Sequence, residues 1–158
     1  MTVKECLRRV HVLDEAVNTA MKQIASLESD AERTTQIYGK VLTDGGTNGD
    51  YDRAIRRLIE SKKKCNAIND EYIAYKALIL DRINMLSDAE HRKILTAVYI
   101  SRNKHGKPLT WDEIALQVSY SARQAQRIHG DALHEFRKVM PTDEDVARCR
   151  SMSPGDMV

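Results

Sequence analysis

An apolar or small residue returns every seventh position at Val3, Val10, Val17, Ile24, Ala31 and Tyr38, and a second series runs through Cys6, Leu13, Ala20 and Leu27. A sevenfold repeat keeps these side chains on one stripe of an α-helix, so the pattern predicts a long heptad helix that stops near Gly39. The stretch Thr43 to Asp50 then collects Gly, Asn, Asp and Thr, which accept positive φ or bond their own backbone, and it predicts a turn. Beyond it the repeat resumes at Tyr51, Leu58, Cys65, Tyr72, Ile79 and Leu86, flanked by Ala54, Ile68 and Tyr75. Two such helices joined by a short connection form an antiparallel hairpin, each arm on the order of 50 Å long. Facing residues would have numbers that sum to roughly 92, which sets Cys6 near Leu86 and Cys65 near Leu27. Two stripes cannot cover all the apolar surface of arms this long, so the hairpin is expected to pair with a second copy as a homodimer.

Past Leu86 the periodicity shortens. Ser87 and Glu90 have the S-x-x-E spacing in which each side chain caps the other's backbone N–H, predicting a third helix with Ile94, Leu95, Val98 and Tyr99 on its apolar face. A basic loop, Arg102 to Pro108, leads to Thr110 and Glu113, a second capping pair that opens a short helix from Trp111 to Gln117. Val118-Ser119-Tyr120 make the turn, and Ser121 with Gln124 open a last helix that runs to about Val139. Pro141 ends it, and the acidic, apolar-poor remainder reads as a mobile tail. The expected fold is therefore all-α. It comprises a coiled-coil-like hairpin over residues 1–85, a small trihelical domain over residues 86–140 and a tail over residues 141–158.

A short helix, a three-residue turn and a longer helix with Arg and Gln near its start match the arrangement that presents a recognition helix to the major groove. Winding the last helix at about 100° per residue turns Ala122, Ala125, His129, Ala132, Leu133 and Phe136 inward. The same winding turns Arg123, Gln126, Arg127, Gly130 and His134 outward. Ile114, Val118, Tyr120, Ala125 and Ile128 supply the contacts that fix the two helices, and small Ala115 lets them approach. Arg reads guanine O6 and N7, and Gln reads adenine N6 and N7, each through two hydrogen bonds, so the outward residue types suit base recognition. Thr110 and Ser121 lie where free helix N-terminal N–H groups meet phosphates, and Arg102, Lys104 and Lys107 are further candidates for backbone contact. Gly130 costs about 1 kcal/mol against Ala inside a helix, which either packing or close approach to DNA would explain.

The residues from Leu86 to Phe136 resemble region four of bacterial sigma factors. The stretch LTWDEIALQVSYSARQAQRIHGDALHEF is similar, more closely, to phage and prophage late-operon transcriptional regulators of the RinA and ArpU type, in which a helical N-terminal segment precedes such a pattern. Ser119 stands where turns of this kind usually carry Gly, and the loop RNKHGKP is longer than usual. The resemblance implies binding to double-stranded DNA near a promoter and activation of transcription. Ser121, Arg123, Gln124, Gln126 and Arg127 fall at the matching recognition-helix positions, and RNA polymerase is a further candidate partner. Other readings are the small DNA-recognition subunit of a viral packaging terminase, distinguished by ring assembly, and a protein-binding module acting on RNA polymerase without touching DNA.

Composition narrows the choice further. The 158 residues are 42% hydrophobic and 30% charged, with a net charge of +2, seven glycines and three prolines, as expected of one or two compact helical units. Cys6, Cys65 and Cys149 show no C-x-x-C spacing, so they read as reduced thiols, the first two as small core residues. His129 and His134 are five apart and do not share a helix face as metal ligands would. No Gly-rich phosphate loop, H-E-x-x-H or Ser-His-Asp pattern is present, so neither an enzyme, a metal nor a cofactor is expected. Trp111 and Phe136 fit packing better than base stacking. The cations Arg53, Arg56, Arg57, Lys62, Lys63 and Lys64 form a run with no assigned role. The absence of an apolar run of membrane-spanning length and of a secretory signal leads to the expectation of a cytoplasmic protein.

Overall fold

A computed structural model describes residues 1–41 and 49–151, the side chains of residues 37–41 excepted. Among the described residues six helices follow one another: α1 (Val3–Val41), α2 (Gly49–Asn84), α3 (Ala89–Tyr99), α4 (Trp111–Val118), α5 (Ala122–Phe136) and α6 (Asp143–Ser151). No strand occurs among the described residues, where one isolated bridge joins Arg102 and Pro108. None of the described helices is long and apolar enough to cross a membrane. The expected all-α architecture, a long helical hairpin followed by three short packed helices, is what forms. The turn expected over Thr43 to Asp50 falls, except for its last two residues, outside the described residues.

The chain divides into two compact units, but not at the boundary the repeat suggests. One unit takes residues 1–14 together with residues 70–158, and the other takes residues 15–69. In the first, Cys6, Leu7, Val10 and Leu13 of α1 and Ala74, Tyr75, Ile79 and Ile83 of α2 join Ile94, Leu95, Tyr99, Ile114, Ala125, Ala132 and Phe136 in one continuous core. The start of α1 and the end of α2 thus belong with the trihelical cluster rather than with a separate hairpin domain. The reason is that both sides of these segments meet apolar surface, and burial at about 25 cal/mol per Å² favours one merged core over two small ones.

Inside this unit α1 and α2 run antiparallel: Cys6 meets Tyr75, whose hydroxyl donates to the Cys6 carbonyl at 2.9 Å, and Arg9 meets Glu71 at 2.9 Å. Tyr75, rather than the expected Leu86, reaches Cys6: with Arg9 opposite Glu71, facing residues at this end have numbers that sum to about 80 rather than 92, so the two helices are shifted from the expected register. Burial pushes both the Cys6 thiol and the Tyr75 phenol up from their ordinary pKa values, so each stays protonated. Arg9 also lies 5.3 Å from the centre of the Tyr75 ring.

The tail expected to be mobile contains α6. Val146 and Cys149, one turn apart, are both buried, and Pro141 is buried ahead of them. Thr142 and Asp145 cap each other's N–H groups at 3.2 and 3.0 Å, starting the helix. Two ion pairs then tie it down, Asp145 to Arg82 at 3.0 Å and Arg150 to Glu71 at 3.5 Å. Counting apolar residues underestimated this segment, because two apolar side chains on one face suffice when charged partners wait on α2.

The second unit takes the rest of α1 and the first part of α2. Among its described side chains, only Val17, Ala31 and Cys65 are buried. Ala20, Ile24, Leu27, Ile55, Leu58 and Ile68 are half-buried, while Met21 and Ile59 are exposed. Lys62 and Glu28 bridge its two arms at 2.9 Å.

Candidate nucleic-acid interface

The geometry of α4 and α5 follows from their ends. Thr110 and Glu113 close a reciprocal cap: the Thr110 N–H donates to Glu113 Oε2 at 2.8 Å, and the Glu113 N–H donates to Thr110 Oγ1 at 3.4 Å. Ser121 and Gln124 repeat it at the start of α5, at 3.4 and 3.2 Å. Between them Ser119 takes the left-handed conformation, φ 60 and ψ 37, with its N–H bonded to the Ala115 carbonyl, which also accepts from Tyr120 at 3.1 Å. Ser119 thus adopts the conformation for which such turns usually employ Gly, at some cost in strain.

The third helix starts one residue later than expected. Asp88, not Ser87, is its N-cap, accepting from the Glu90 N–H at 2.8 Å. Ser87 is occupied elsewhere: its N–H and hydroxyl donate to Glu135 Oε1 of α5 at 2.9 and 2.7 Å, while His91 of α3 contacts the other oxygen of that carboxylate. These bonds, led by the one from His91, hold the Glu135 pKa down to about 2. One carboxylate therefore fastens the α2–α3 connection and α3 to α5. The sequence carries no signal for this, since Glu135 reads as an ordinary surface acid.

Packing turns α5 as its periodicity predicts. Ala125, Ala132 and Phe136 are fully buried, and Ala122, His129 and Leu133 are half-buried. His129 bonds the Tyr99 hydroxyl at 3.1 Å and meets the Trp111 ring edge-on at 5.4 Å, so this histidine ties α3, α4 and α5 together. Burial, with Lys4 and Arg8 nearby, pushes its pKa down. The full burial of Phe136 and the seating of Trp111 on His129 give both aromatics packing roles.

On the opposite side Ser121, Arg123, Gln124, Gln126, Arg127, Gly130 and His134 are exposed. Arg123 and Arg127 form no ion pair with any described residue. Gln124 turns its amide oxygen back to Ser121, which leaves its amide N–H groups outward. Tyr120, expected to help fix the two helices, is instead 37% exposed and lines a groove of about 240 Å³ with Gln124, Arg127, Ile128 and Asp131. Asp131 puts a negative charge at the far edge of this groove, so the favourable field for an anion covers the first turns of α5. A Cβ placed on Gly130 meets nothing within 4 Å, which removes packing as the reason for a glycine there.

Two loop expectations separate. Lys104 and Lys107 are exposed, but Arg102 is drawn to Asp14 at 2.6 Å and is committed to that pair. The loop itself is ordered around Asn103, whose side chain accepts from the His105 and Lys107 N–H groups at 2.9 and 3.0 Å, with Gly106 at φ 71 completing the turn. Thr110 is exposed at the start of α4, beyond this loop. Among the described residues no group of three or more His, Cys, Asp and Glu is arranged to hold a metal ion. Compared with models of known protein families, with curated proteins and with solved structures, the chain matches none.

Proposed function

We propose that this chain is a sequence-specific double-stranded-DNA-binding transcriptional regulator that reads the major groove with α5. One observation carries the reading: α4, a three-residue turn and α5 set Arg123, Gln126 and Arg127 on an exposed face with no internal partner, while the inner face of α5 is locked into the core. Long cations without partners are free to meet guanine edges, and the exposed N-termini of α4 and α5, at Thr110 and Ser121, suit phosphates. Lys104 adds a candidate backbone contact at the loop. The resemblance to phage late-operon regulators makes activation of a phage or prophage promoter the specific form of the proposal, with RNA polymerase as the second partner.

The half-buried apolar residues of the second unit support a homodimer. Ile24, Leu27, Ile55 and Leu58 stay partly open, and Met21 and Ile59 are 57% and 48% exposed, which a second copy would cover. A two-fold dimer would read two related half-sites. The test is selection of bound duplexes from a random pool, followed by affinity measurements on the selected site. Arg127→Ala should lower affinity for that site by about 1–3 kcal/mol and relax one base position. Unchanged affinity and selectivity would refute the role given to α5. Mass measurement in solution tests the dimer.

A further inference from the structure

The cations of α2 belong to the second unit, whereas the residues assigned to base reading belong to the first. Winding at about 100° per residue places Arg53, Arg56, Arg57, Lys63 and Lys64 within one arc of about 120°, with Glu60 the only acid inside it. All five cations are exposed, and the buried Cys65 and half-buried Leu58 lie on the other side of the helix. Arg53 pairs with Asp50 at 3.5 Å, an exposed contact of little energetic weight. Arg56, Arg57, Lys63 and Lys64 make no ion pair with any described residue, whereas Lys62, outside the arc, is committed to Glu28. The run of six cations thus separates into one residue paired with α1 and a stripe of five on another side of the helix.

Two features select the partner. Ile55 and Ile59 fall outside the arc, which holds no large apolar residue, unlike a helix that rests on lipid with Leu, Phe or Trp beside its cations. The side chains are also long, and four of the five form no ion pair with a described residue, which fits a regular line of charge better than a shaped anion pocket. A DNA duplex presents a negative charge about every 1.7 Å of its axis, so a stripe of about 17 Å meets phosphates in any register. We infer that this stripe of α2 binds the phosphate backbone of double-stranded DNA without regard to sequence. It adds affinity to every site, while α5 selects among them, and it rests on the DNA-binding reading above.

The test uses the full chain and two duplexes of equal length, the selected site and a scrambled version, titrated between about 50 and 200 mM salt. The variant combines Arg56→Gln, Arg57→Gln, Lys63→Gln and Lys64→Gln, with circular dichroism to check that the helices remain. The expected result is a fall of about 3–4 in the slope of log affinity against log salt on both duplexes, with the preference for the selected site preserved. If the fourfold variant loses helix, Lys63→Gln with Lys64→Gln should still lower the slope by about 2. A wild-type slope in a folded variant overturns the stripe alone. A wild-type chain that binds neither duplex at low salt overturns both this inference and the reading it rests on.

Discussion

Glu135 offers the most direct test of how the proposed reading helix is held. Its carboxylate accepts from the Ser87 N–H and hydroxyl at 2.9 and 2.7 Å and contacts His91, joining three segments through one side chain. In Glu135→Ala these contacts vanish together. Hydrogen bonds to a charged acceptor are worth about 1.5–3 kcal/mol each when well buried, but Ser87 is exposed and water replaces much of the loss. The net cost should be about 1–2 kcal/mol, which lowers Tm by about 4–12 °C for a unit of roughly a hundred residues. The pH dependence is more diagnostic. The folded-state pKa is about 2 against an ordinary 4.5, so the stabilisation is fully present above the ordinary value and is lost as pH falls toward the folded one. Thermal melts of wild type and variant should therefore differ at pH 7 and converge as the pH approaches 2–3. A difference in Tm that is absent at pH 7, or unchanged down to pH 3, would show that Glu135 is not the fastening described.

Three further outcomes follow from other parts of the fold. Gly130→Ala should raise stability by about 0.5–1 kcal/mol in thermal melts, because a Cβ there meets no neighbour and Ala favours the helix. His129, whose pKa is pushed down by burial, binds fewer protons in the folded than in the unfolded state, so stability should fall as pH drops below about 6.5. In His129→Gln that loss between about pH 7 and 5 should shrink, as read from denaturant midpoints. Val146→Ala should cost about 1 kcal/mol and should abolish hydrogen-exchange protection of α6 before that of α5, since α6 is held by two buried side chains and two ion pairs.

The sequence determined the helices and their ends wherever the controlling interaction is local. The Thr110–Glu113 and Ser121–Gln124 pairs act over three residues, and the turn between them is short enough to leave one arrangement of its neighbours. The burial of Ala125, Ala132 and Phe136 opposite Arg123, Gln126 and Arg127 followed from helical winding alone. The heptads likewise announced the two long helices, because periodicity is a property of one stretch of chain.

What the tertiary structure decided depends on partners distant in sequence. Glu135 took Ser87 and thereby moved the cap of α3 to Asp88, a choice between two equally good capping residues. Asp14 claimed Arg102 from the basic loop, and Arg82 and Glu71 anchored a helix in a segment too poor in apolar residues to announce one. The heptads are continuous through residues 14 and 70, yet the compact units divide there, because a repeat records which stripe of a helix is apolar and not which surface will cover it.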